Sequence, residues 1–204
     1  MPETDPQVVD VVFAVEGTSL PADHAWPLLQ AILRRLPWLA GEALAGIHPL
    51  RAAPTTYGVV LLAQRAKLVL RVPEARVPDC LALQDADLDI AGSTIVVGAG
   101  TARRLRPSAT LAAERVVSEA GDARGFESDV RHALQALEVD GALISGRRRQ
   151  ASAGGRGIAG YALALHGLSA ADSLRVQSVG IGGDRRLGWG VFVPAKSISA
   201  AGEA

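Results

Sequence analysis

One stretch near the C-terminus constrains the chain more than any other: Gly180-Ile181-Gly182-Gly183-Asp184-Arg185-Arg186-Leu187-Gly188-Trp189-Gly190, followed at once by the apolar run Val191-Phe192-Val193-Pro194. It reads as the end of a helix, a glycine loop, then a buried strand. Five glycines in eleven residues let the backbone take positive φ angles and let other groups come close to main-chain N–H groups. Arg185 and Arg186 put fixed positive charge at the same place, and Trp189 adds a flat ring. The combination suits a phosphodiester chain carrying bases better than one small nucleotide. The structural alternative is a tight turn leading into an edge strand. A Walker loop is excluded because no Gly-Lys-Ser/Thr ending follows. The dinucleotide fingerprint is excluded because it needs a strand before its glycines and a helix after them.

At 204 residues the chain has room for one large domain or two small ones. The lone Cys80 cannot form an internal disulfide, and no cysteine or histidine spacing suits zinc, so no metal or other cofactor is expected. The N-terminus, Met1-Pro2-Glu3-Thr4-Asp5-Pro6, lacks the basic-then-apolar order of a signal peptide, and no apolar run is long enough to span a bilayer. The expectation is a cytoplasmic protein with no membrane partner. A formal net charge of zero argues against indiscriminate coating of nucleic acid. The arginines are nevertheless gathered: Arg103-Arg104-Arg106, Arg147-Arg148-Arg149 with Arg156, and Arg185-Arg186.

In chain order, Val8 to Val15 is a β-branched apolar run and reads as a buried first strand. Pro27 suits the first turn of a helix whose face is Leu28, Leu29, Ile32, Leu33 and Leu36, closed by Pro37. A loop carries Gly46-Ile47-His48-Pro49-Leu50, and Tyr57 to Ala63 reads as a strand. Lys67 to Pro73 alternates, predicting a strand with Lys67 and Arg71 on the face away from the core. Val77 to Leu83 is a short helix, and Leu88 to Val97 a strand or hairpin. Gly98 to Pro107 is read as a Gly/Arg-rich connection, with domains at 1–104 and 105–204.

The second half opens with a strand at Thr110 to Val117 and a helix at Phe126 to Leu137. Ala142 to Ser145 is a strand running into Gly146-Arg147-Arg148-Arg149, the loop Gln150 to Gly157 follows, and Ile158 to His166 returns as a strand. Ser169 is an N-cap for a helix through Val179, and the last strand is Gly190 to Pro194. Each half is β-α-β-β-α-β, so the fold class is α+β with two tandem ferredoxin-like, RNA-recognition-motif-like units. Aromatics are only 4% of the chain, too few for the usual stacking pair on the sheet. RNA binding is therefore expected to rest on arginines and backbone groups.

With this order and the terminal glycine loop, the chain resembles the RAMP superfamily of CRISPR-associated proteins. Their diagnostic pattern is Gly-hydrophobic-Gly, five residues, Gly-hydrophobic-Gly, and Gly180 to Gly190 fits it at every position. Within that superfamily it is similar to the Cas-six endoribonucleases, on Leu20-Pro21-Ala22-Asp23-His24, Gly46-Ile47-His48-Pro49, the Gly146-Arg147-Arg148-Arg149 run and Leu165-His166-Gly167-Leu168. The resemblance implies metal-independent cleavage of CRISPR repeat RNA in precursor transcripts. The upstream 2′-hydroxyl attacks the phosphodiester and leaves a 2′,3′-cyclic phosphate and a 5′-hydroxyl.

Histidine titrates near neutral pH and can serve as base or acid in such a step. The resemblance places the catalytic candidate at His24, at the entry to the first helix beside Asp23, or at His48, between first helix and second strand. His132 reads as a solvated helix residue and His166 as a packing or capping residue. The RNA-binding set is Arg147, Arg148, Arg149 and Arg156 with Gly180, Gly182, Gly183, Arg185, Arg186, Gly188, Trp189 and Gly190. The expected partners are a repeat RNA stem-loop and other subunits of an interference complex. A non-catalytic RNA-binding scaffold of the same superfamily and a small-molecule enzyme using the glycine loop are the alternatives.

Overall fold

The computed structural model describes residues 7–55 and 58–195. Two compact units emerge, one of Met1–Leu105, Ala151–Ile158 and Arg185–Gly188, the other of Arg106–Gln150, Ala159–Asp184 and Trp189–Ala204.

In the first unit, strand β1 (Val8–Glu16) turns Val9, Val11 and Phe13 into the core and Asp10 and Val12 to the other face. After β2 (Ser19–Pro21) comes helix α1 (Ala25–Arg35), which buries Leu28, Leu29, Ala31 and Ile32. It stops at Leu36, as a following proline requires. Then come β3 (Gly46–Ile47), β4 (Ala52–Pro54), β5 (Val59–Leu62) and β6 (Lys67–Pro73). Short turns around α2 (Val77–Cys80) lead to β7 (Asp87–Ile90) and β8 (Ser93–Arg104). The sheet order is β3-β6-β1-β8-β7, antiparallel at every pairing. Its first four strands have the ferredoxin-like order, and β7 is an added edge.

Three expectations for this half are corrected. The second strand of the unit is β3, inside the segment read as a loop, because two residues are too few to show alternation. The predicted strand from Tyr57 to Ala63 is β5, which joins β2 and β4 in a separate three-stranded sheet. Tyr57 itself lies outside the described residues, as does the N-terminal hexapeptide. Gly98 to Arg104 is not a connection: it continues β8 along β1, with Asp10 opposite Arg103.

The second unit contains β9 (Thr110–Val117), α3 (Ala123–Ala136), α4 (Ala170–Val179), β12 (Val193–Pro194) and all but the hairpin tip Ala151–Ile158 of β10 (Ala142–Ala153) and β11 (Arg156–His166); its strands form a sheet of order β10-β11-β9-β12. That is the ferredoxin-like arrangement. Asp122 caps α3 by accepting from the Gly125 N–H, and Ser169 caps α4 by accepting from the Asp172 N–H. Phe126, Val130 and Leu134 of α3 pack with Tyr161, Leu163, Leu165, Val176 and Phe192, and the Phe126 and Tyr161 rings stack with centroids 4.9 Å apart.

Two more corrections fall here. The supposed loop at Gln150 to Gly157 is a hairpin: β10 and β11 extend through it, and Gly154 and Gly155 make the two-residue turn at φ +59° and +85°. Positive φ at both turn residues is what the right-handed twist of a hairpin requires. The last strand is only Val193–Pro194, with Val191 and Phe192 buried ahead of it. Among the described residues no helix is long and apolar enough to cross a membrane. Cys80 is buried, and burial pushes its thiol up to about 12.

Beside the bulge of β9 and β11, a Cβ at Gly160 would lie 1.8 Å from the Val116 carbonyl oxygen. Gly160→Ala must force the strands apart, and we expect a loss of about 3 kcal/mol or more in unfolding free energy, measured by urea denaturation.

Candidate nucleic-acid interface

His24 ends the approach to α1. Its carbonyl accepts the first helical hydrogen bond from the Leu28 N–H at 2.9 Å, and its Nδ1 lies 3.0 Å from the Pro21 carbonyl oxygen. The tautomer that donates from Nδ1 to Pro21 carries its lone pair on Nε2. Two residues on, Trp26 is 37% exposed. Its ring lies against the hairpin turn, so that a Cβ at Gly154 would come 3.0 Å from Cε2 and Cζ2. Arg156 leaves that turn exposed at the start of β11.

His48 is built into a different cluster. Asp10 on β1 stands opposite Arg71 on β6, and the guanidinium grips its carboxylate through both oxygens, Nε to Oδ1 at 2.8 Å and Nη2 to Oδ2 at 3.0 Å. His48 follows β3, where its main-chain N–H donates to the Val69 carbonyl at 2.9 Å. Its Nε2 lies 3.2 Å from the same Asp10 Oδ1. Arg71, expected with Lys67 on the face away from the core, is fully buried there while Lys67 is exposed, and Asp10 neutralises it. Burial raises the Asp10 carboxyl, but the hydrogen bonds from His48 and Arg71 outweigh that and hold it well below the usual carboxylate range. Burial pushes His48 down, with Arg71 and Arg185 adding to the fall and Asp10 opposing it.

Arg185 belongs to this same cluster. It is buried, and burial, with the charge of Arg71, brings it down to about 10, so it stays cationic near neutrality. Its Nη1 donates to the Leu44 carbonyl at 3.2 Å. Arg186 Nη1 donates to the Leu39 carbonyl at 3.0 Å and also to that of Ala40. Both arginines thus clasp main-chain carbonyls. Trp189, expected to offer a flat face to bases, is fully buried with the Arg115 guanidinium 5.7 Å over its ring. The glycines explain the loop's shape: Gly180, Gly182, Gly188 and Gly190 all have positive φ, and a Cβ at Gly190 would meet the Ile181 carbonyl oxygen at 2.3 Å. Gly182 and Gly183 are exposed.

Arg147, Arg148 and Arg149 are all exposed, but they lie on β10 and not in a loop, so alternation sends Arg148 to the face opposite Arg147 and Arg149. His132 is exposed on α3, as expected. His166 Nδ1 lies 3.3 Å from Thr110 Oγ1, a packing role. Among the described residues no group of three His, Cys, Asp or Glu is arranged to hold a metal ion.

The Cas6 family model, described as Cas6 Crispr, matches residues 9–197. A CRISPR-associated endonuclease Cas6 from Myxococcus xanthus (strain DK1622) is 40% identical over 187 residues, covering 91% of this chain and 81% of that one. The chain belongs to the Cas6 family. Among solved structures, a CRISPR associated protein Cas6 superposes with TM-score 0.67 at 9% identity, covering 93% of this chain and all 100% of that one. A RAMP protein binding different RNA substrates gives 0.65 at 12% identity over 92% of this chain and 100% of its own. The endoribonuclease Cse3 bound to 19 nt RNA gives 0.53 at 11% identity over 91% and 97%. At such identities these three establish the tandem ferredoxin-like fold of this Cas6 chain.

Reading the Cas6 sequence alone missed Asp10, Arg71 and Trp26. An aspartate at the centre of an apolar run, Val8-Val9-Asp10-Val11-Val12, is itself a signal that a buried cation faces it. The cluster also gives a pH dependence. His48 has a lowered folded value, so below its ordinary 6.5 the unfolded chain binds more protons and stability falls with pH. Asp10, whose folded value is also lowered, stabilises above its ordinary 3.8 and loses this as pH falls towards its depressed value. Urea midpoints measured from about pH 7.5 to 4.5 are expected to decline, and His48→Gln is expected to flatten the upper part of that decline.

Proposed function

We propose that this Cas6 protein is a cytoplasmic endoribonuclease that cuts CRISPR repeat RNA within precursor transcripts, without a metal in the step. The reading is carried by 40% identity, over 91% of the chain, to a protein named a CRISPR-associated endonuclease. His24 is assigned the proton-transfer role. With Nδ1 donating to Pro21, its Nε2 takes the proton of the attacking 2′-hydroxyl. The 2′-oxygen bonds to phosphorus, the phosphorus–O5′ bond breaks, and the departing 5′-oxygen takes a proton from water. A 2′,3′-cyclic phosphate and a 5′-hydroxyl result.

His48 is assigned the supporting role: it is held to Asp10 within the buried charges around Arg185. The substrate is proposed to be a repeat stem-loop. Arg147, Arg148, Arg149 and Arg156 grip its phosphates, and the exposed Gly182-Gly183 backbone adds N–H donors. Gly180, Gly188, Gly190, Arg185, Arg186 and Trp189 keep the glycine loop in shape. Assembly with other subunits of an interference complex is part of the same proposal.

His24→Ala is expected to lower single-turnover cleavage of a repeat RNA by about 100-fold or more while leaving its binding intact. A 2′-deoxy nucleotide at the cut site is expected to abolish the product in the wild-type protein, and EDTA to leave it unchanged. Binding without cleavage by the wild-type protein selects a scaffold instead. Replacing Arg147, Arg148 and Arg149 together with alanine is expected to weaken repeat binding and flatten its salt dependence by about 0.7 to 0.9 in log–log slope per lost phosphate contact. An unchanged salt titration removes that assignment.

A further inference from the structure

We infer that Trp26 is a base-stacking residue, taking an unpaired nucleobase close to the bond that is cut; the inference rests on the RNA-cleaving reading above. Phe13, Phe126, Tyr161, Trp189 and Phe192 are all buried, whereas Trp26 stands 37% exposed at the start of α1. Its exposed area is an apolar, aromatic surface of the kind on which a nucleobase stacks.

Here the ring is also braced. Its Cε2, Cζ2 and Nε1 edge rests on Gly154, where a Cβ would come within 3.0 to 3.4 Å of those atoms and where φ is +59°. A side chain at Gly154 is therefore excluded twice, by the backbone angle and by the ring. A braced ring gives up little rotamer freedom when a base stacks on it.

The surroundings fit one nucleotide. Beyond the turn, Gly155 and Gly157 are bare, with nothing within 4 Å of where a Cβ would sit, and the exposed Arg156 lies between them. A base on the ring leaves its phosphate on this open, cationic backbone. His24 and Trp26 are two residues apart and project to different sides of the helix start. A single strand crossing that point meets the imidazole with one nucleotide and the indole with a neighbour. Bases within a paired stem cannot supply this contact, because their faces are already stacked.

The test uses the full chain in a His24→Ala background, so that the RNA stays intact, and repeat RNAs carrying one abasic site at each position around the cut in turn. With the indole present, one abasic position is expected to weaken binding by about 10-fold. Trp26→Ala is expected to weaken binding of the intact RNA by a similar factor and to be insensitive to that same abasic position, whereas Trp26→Phe stays within about 3-fold of the parent. Repeat RNA is further expected to quench tryptophan fluorescence in the parent and not in Trp26→Phe. Equal losses at every abasic position for Trp26→Ala and its parent overturn the inference and leave Trp26 as a brace for the turn. If the parent binds no repeat RNA at all, the RNA-cleaving reading itself fails.

Discussion

The structure depends on a carboxylate in the middle of a sheet. Asp10 is half-buried, so desolvation of its carboxylate must be offset by protein, and Arg71 from the neighbouring strand meets both its oxygens. That pair is neutral as a unit, but Arg185 brings a second buried cation to the same place. Burial first, and then the charges of Arg71 and Arg185, favour His48 in its uncharged form against the pull of Asp10. Arg185 in turn takes the Leu44 carbonyl, and Arg186 the carbonyls of Leu39 and Ala40. The segment Arg185–Gly188 is thus fixed to its unit by charge and hydrogen bonding together.

This arrangement separates two kinds of arginine. Those of the glycine loop are spent on protein carbonyls, with geometry that a solvated phosphate does not provide. Those of β10, Arg147 to Arg149, are exposed. The same division runs through the histidines. His48 lies inside the buried cluster, whereas His24 sits at a helix entry with its Nδ1 3.0 Å from the Pro21 carbonyl oxygen. Burial and the neighbouring guanidiniums suppress the charged form of His48.

Much of the fold was legible because long elements carry their own periodicity. The valine run of β1, the leucine face of α1 and the Ser169 cap of α4 each point to one structure. What escaped was short or non-local. Gly46–Ile47 shows no alternation, and the hairpin around Gly154 reads as a loop since its strands are exposed on both faces and rich in small residues. The burial of Arg71, read only as facing away from the core, escaped because its partner Asp10 is 61 residues away. Trp189 beside two arginines suggested a stacking surface, yet apolar burial decided its position. Trp26 went unnoticed because only the contact with Gly154, far along the chain, distinguishes it from any other helix residue.

The glycines of the terminal loop have a consequence for how such chains are recognised. Gly190 is required by the Ile181 carbonyl, and Gly188 by Pro49 and its own φ of +81°. Both demands are set by packing and neither by RNA. The signature that most readily marks the chain is therefore a fingerprint of architecture, and it would persist in a descendant that had lost all enzymatic power. Whether a given member cuts or merely holds must be read from residues outside it.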